Sequence, residues 1–67
     1  MNCNRLRIDN ITQQEKRYGY IVMHEISGEY MIDFYVFGCG CAAVSIMETD
    51  RDKANKAYEN ILKEYSY

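Results

Sequence analysis

Sixty-seven residues, 48% apolar and 27% charged, describe one globular domain (1–67) near the lower size at which a chain folds without staples, neither disordered nor membrane-embedded. No apolar run approaches the ~20 residues of a spanning helix, and MNCNRLRIDN lacks the apolar centre of a signal peptide, so a cytoplasmic location is expected. Ten acids against eight bases give a net charge of −2, too balanced for a phosphate-backbone binder or a nucleic-acid mimic. Three cysteines, an odd number, read as reduced thiols and not as a disulfide scaffold.

In residues 1–16, Leu6 and Ile8 alternate with Arg5 and Arg7, the pattern of a short edge strand guarded by charge. Thr12-Gln-Gln-Glu15 also has the form of a capping box opening a helical turn; the strand is the favoured reading. From Tyr18 to Phe37 the chain reads as a hairpin about Ser27-Gly28, where Gly supplies the positive φ of a two-residue turn. That turn places Ile26 opposite Glu29, Met23 opposite Ile32, Ile21 opposite Phe34 and Gly19 opposite Val36, so one face carries the core.

Gly38-Cys39-Gly40 interrupts the strand pattern as a three-residue loop, with Gly40 expected in the left-handed region and Phe37 paired with Cys41. This register sets Ala42, Val44 and Ile46 beside Val36, Phe34 and Ile32. Ala54, Ala57, Tyr58, Ile61, Leu62 and Tyr65 then recur at helical spacing, predicting an amphipathic helix over 49–65 with Thr49 or Asp50 as N-cap. The expected fold is α+β: an antiparallel three- to four-stranded meander with one C-terminal helix packed on one face, a two-layer sandwich.

The same register gathers Tyr18, Tyr20, Tyr35 and Phe37, with His24, Met31 and Asp33, on the face away from the helix. Aromatic and methionine side chains on an uncovered face mark a surface for a protein partner or a second copy of the chain. Ser45, Asp33 and His24 share that face, but Asp33 lies between the other two. Ser45 and His24 are then two strand spacings apart, roughly 9 to 10 Å, too far for a nucleophile and its base. Cys39-Gly-Cys41, Cys3 and His24 cannot meet on one metal, because His24 and the Cys39 loop lie at opposite ends of the hairpin. Lys16-Arg17-Tyr18-Gly19-Tyr20-Ile21 overlaps part of an RNA-recognition signature, yet Arg17 stands where that signature has Gly and Met23 where it has an aromatic.

No catalytic, cofactor or metal site is therefore expected. The reading is a small non-enzymatic protein-binding module, a regulator or inhibitor of the kind phages and mobile elements direct at host defence enzymes, with homodimerisation expected. The alternatives, in order, are a self-associating assembly subunit, a thiol or metal protein built on the cysteines, and a single-stranded nucleic-acid binder.

Overall fold

In a computed structural model, which describes residues 3–67, four antiparallel strands run side by side in sequence order and are followed by one helix. The elements are β1 (Cys3–Gln13), β2 (Lys16–Ile26), β3 (Glu29–Val36), β4 (Val44–Glu48) and α1 (Arg51–Tyr65). This is the α+β meander expected from the sequence, with the N-terminal segment supplying the fourth strand; the part of that strand expectation on residues 1 and 2 lies outside the described residues. Among the described residues no helix is long and apolar enough to cross a membrane.

Turn chemistry fixes the register. Ser27 and Gly28 have φ of 52° and 80°, the mirror-image turn whose twist suits a right-handed hairpin, and the β2–β3 ladder runs from Ile26–Glu29 to Gly19–Val36 as alternation predicts. The β1–β2 turn uses Gln14 and Glu15 at φ of 50° and 66°, the same left-handed pair without a glycine. Such backbone costs a non-glycine residue about 1 to 2 kcal/mol. The turn is tied down from outside: the Gln14 N–H donates to the Tyr67 carbonyl, and the Tyr67 N–H donates to the Thr12 carbonyl at 3.0 Å. Thr12 to Glu15 thus ends a strand and opens no helix.

The third connection differs from expectation. Strand pairing stops at Phe34–Val44, residues 37–43 form the loop, and the left-handed residue is Gly38 at φ 91° instead of Gly40. The Cys39 N–H donates to the Val36 carbonyl at 3.1 Å, closing a tight turn whose third position must adopt positive φ. Gly38 is the first glycine the chain offers there. Across this longer loop the expected pairing survives: Ile32 opposes Ile46, Asp33 opposes Ser45 and Met31 opposes Met47.

The helix begins where its cap allows. The Asp50 carboxylate accepts from the Asp52 N–H at 2.8 Å and the Lys53 N–H at 3.4 Å, which selects Asp50 over Thr49 as N-cap and starts the helix at Arg51. Ala54, Tyr58 and Ile61 enter the core with Ile11, Ile21, Met23, Ile32 and Phe34, while Ala57, Leu62 and Tyr65 pack half-buried around them.

Two irregularities in β1–β2 pairing decide which side chains face the helix. A shift between Arg5 and Arg7 turns Leu6 onto the core, while Ile8 lies opposite Val22 and is 49% exposed. Arg7, Asp9 and Ile11 consequently share the helix side, and Ile11 becomes fully buried. Arg7 stacks 4.0 Å over the Tyr58 ring and donates to Glu59 at 2.7 Å. The Tyr58 hydroxyl donates to Asp9 at 2.6 Å, and burial together with that carboxylate holds its phenol well above the ordinary range.

The second shift lies between Ile11 and Thr12, opposite Tyr18 and next to Gly19. A Cβ on Gly19 would lie 1.9 Å from the Tyr35 carbonyl oxygen, so β2 and β3 approach here closer than any side chain permits. Gly19→Ala is expected to destabilise the fold by about 3 kcal/mol or more, read as a lowered denaturation midpoint, because backbone must move. An unchanged midpoint would show that the strands separate freely at this point.

Tyr58 supplies a pH test. A phenol protonated in the fold above its unfolded value of about 10 contributes stability that is complete below that pH and is lost as pH rises toward the folded value. Wild-type stability should therefore decline above about pH 10, and Tyr58→Phe should flatten that decline while costing about 1 kcal/mol at neutral pH for the lost hydrogen bond. An equally steep decline in the variant would assign it to other groups.

Candidate protein-binding face

Strand alternation lays out the face opposite the helix in cross-strand rows. Ile8, Val22, Asp33 and Ser45 form the middle row, flanked by Asn10, Tyr20 and Tyr35 on one side and by Arg5, His24, Met31 and Met47 on the other. Among the described residues no element crosses this face, since α1 packs on the other. Val22 and Asp33 are nonetheless buried, at 5% and 7% exposure.

The aromatic side chains form a file across the sheet. Tyr20 and Tyr35, a directly opposed pair, stack with centroids 5.0 Å apart and planes 22° from parallel. Phe37, from the start of the 37–43 loop, lies 6.1 Å from Tyr20, and the Arg17 guanidinium sits 5.0 Å over the Phe37 ring. Arg17 also donates to Asn10 at 3.5 Å. A guanidinium over a ring is a favourable cation–π arrangement.

Tyr18 stands elsewhere. Its backbone carbonyl still accepts from the Phe37 N–H at 3.1 Å, but its ring lies 6.2 Å from Phe34, a core residue. The register shift at Tyr18 accompanies the turn of this ring to the helix side, and Arg17 takes its place at the aromatic file. Tyr18 instead helps to line a shallow cavity of about 350 Å³ with Gln13, Gln14, Lys16, Arg17 and Tyr67. Nothing in alternating hydrophobicity signals that exchange, so Arg17 was invisible as a member of the face.

Asp33 is the polar centre. Its Oδ1 accepts the Ser45 hydroxyl at 2.7 Å, and its negative charge raises the Tyr35 phenol above the ordinary value, with partial burial acting in the same direction. The Ser45 proton is thus directed at Asp33. His24 opposes Met31 in the next row on β2, two strands from Ser45, so the three residues share a face without forming a nucleophile–base pair.

Cys39 and Cys41 lie exposed on the 37–43 loop, and Cys3, also exposed, pairs with Ile26 at the other end of the sheet. Among the described residues no three His, Cys, Asp or Glu side chains are placed to hold a metal ion. Changing Cys39 and Cys41 together to Ser is expected to leave the melting temperature unchanged, since neither side chain enters the core. Stoichiometric zinc in the purified wild type, lost with the fold on chelation, would contradict this. A scan against protein-family models finds no match to this chain, and searches of the curated proteins and of the solved structures find none.

Proposed function

We propose that this chain is a small non-enzymatic protein-binding module acting through the outer sheet face, with Tyr20, Tyr35 and Phe37 as anchors and Met31 and Met47 around them. The observation that supports this is the file of three aromatic rings on a face crossed by no other element among the described residues, with Phe37 and Met47 about half exposed. Large exposed apolar patches on small proteins mark interaction sites. Tyr and Met are among the side chains enriched at such sites, for rigid area and for adaptability.

Size is compatible. A standard interface takes about 800 Å² from each partner. The chain's broad dimensions of 36 by 24 Å, against a thickness of 15 Å, outline a face large enough to provide it. A compact domain of this kind suits a regulator or inhibitor that blocks a larger protein by covering it, such as those phages and mobile elements direct at host defence enzymes. That setting rests on analogy of size and architecture.

Tyr20→Ala and Tyr35→Ala should each weaken association by about 30-fold or more, as truncation of a buried aromatic anchor does. The measurement is titration against a partner recovered with the wild type and then purified, alongside native mass for self-association. Loss of thermal stability in both variants with association unaffected would make the face internal packing and refute the reading.

A further inference from the structure

Covering the outer face would complete the burial of Asp33, and that constrains what can cover it. The carboxylate sits in the middle row of the sheet, 7% exposed, with the Ser45 hydroxyl at 2.7 Å as its hydrogen-bonded side-chain partner. One neutral donor does not offset the removal of a carboxylate from water. A purely apolar partner surface would therefore be rejected at the centre of the face it otherwise fits. The arginines of this face do not solve this among the described residues: Arg17 is engaged at the far end of the aromatic file, over Phe37 and on Asn10, and Arg5, opposite His24 on β1, makes no ion pair with Asp33.

We propose that the outer face recognises an arginine side chain presented by a protein partner, its guanidinium paired with the Asp33 carboxylate and stacked beside the Tyr20–Tyr35 rings. The inference rests on the protein-binding reading above and names the chemistry of that partner. A guanidinium is planar and weakly hydrated, donates two parallel hydrogen bonds to a carboxylate and stacks on aromatic faces, whereas a lysine ammonium meets the first demand as a point charge and the second poorly. Arg17 on Phe37 is the same stacking made within the chain. Two copies meeting centre to centre would bring two Asp33 carboxylates together, which opposes self-association in that arrangement.

The test is an amide-shift titration of the whole chain with two probes, acetyl-Gly-Arg-Gly-amide and its citrulline counterpart, which has nearly the same shape without the charge. The arginine peptide should shift the amides of Tyr20, Asp33 and Tyr35, with the citrulline peptide at least about tenfold weaker. Asp33→Asn, which keeps an acceptor for Ser45, should abolish the difference between them. Equal shifts from both peptides, or an arginine response unchanged in Asp33→Asn, would overturn the proposal. So would shifts gathered on the helix acids Asp52, Glu59 and Glu64. If partner binding is lost in Tyr20→Ala but retained in Asp33→Asn, the aromatic face stands and the guanidinium assignment alone falls. A wild-type dimer that dissociates on Arg17→Gln would make a second copy the occupant and overturn the separate partner.

Discussion

The contact between Gly19 and the Tyr35 carbonyl oxygen organises both sides of the sheet. A Cβ at that position would meet the Tyr35 carbonyl oxygen, so β2 and β3 approach closely there, and the side chains before and after it face opposite sides. Tyr18 goes to Phe34 on the helix side, whereas Tyr20 goes to Tyr35 on the other. Arg17 reaches Phe37 on that other side as well. The core's edge and the candidate face are therefore set by one backbone approach, which links packing directly to the surface available for binding.

Much of this was legible in the sequence because it rests on short-range rules. Ser27-Gly28 and strict alternation determine the β2–β3 register, and the spacing of Ala54, Tyr58 and Ile61 determines which side of the helix is buried. What escaped has a common cause. Alternation presumes that every residue of one strand faces one of the other, and the shifts near Leu6 and Tyr18 break that assumption without any marker in composition. They hid Ile11 as a core residue, placed Tyr18 on the wrong face and left Arg17 unnoticed. The Gln14–Glu15 turn was hidden for a different reason, since its left-handed backbone is maintained by bonds from Tyr67, 53 residues downstream of Gln14, and not by local residue type.

The two faces also divide the polar chemistry differently. On the helix side Arg7, Asp9, Tyr58 and Glu59 form a cluster in which each charge has an opposite or a hydroxyl within reach, and the cluster joins the first strand to the helix. On the outer face Asp33 has its serine, with Tyr35 and Met31 on either side of it along β3. A satisfied cluster holds the domain together; a carboxylate with spare accepting capacity amid aromatic rings is chemically suited to recognition.

The contacts that join β1 to the C-terminal segment have a kinetic meaning. Each hairpin of the meander closes over a short loop, but Arg7–Glu59, Asp9–Tyr58 and Thr12–Tyr67 bring together residues separated by nearly the whole chain. Closing a long loop costs more chain entropy than closing a short one, so these contacts are expected to form late in folding, after β2, β3 and β4 have aligned. The domain is thus completed where its ends meet. Loosening either end opens the same seam, and the seam lies on the helix side, away from the aromatic face.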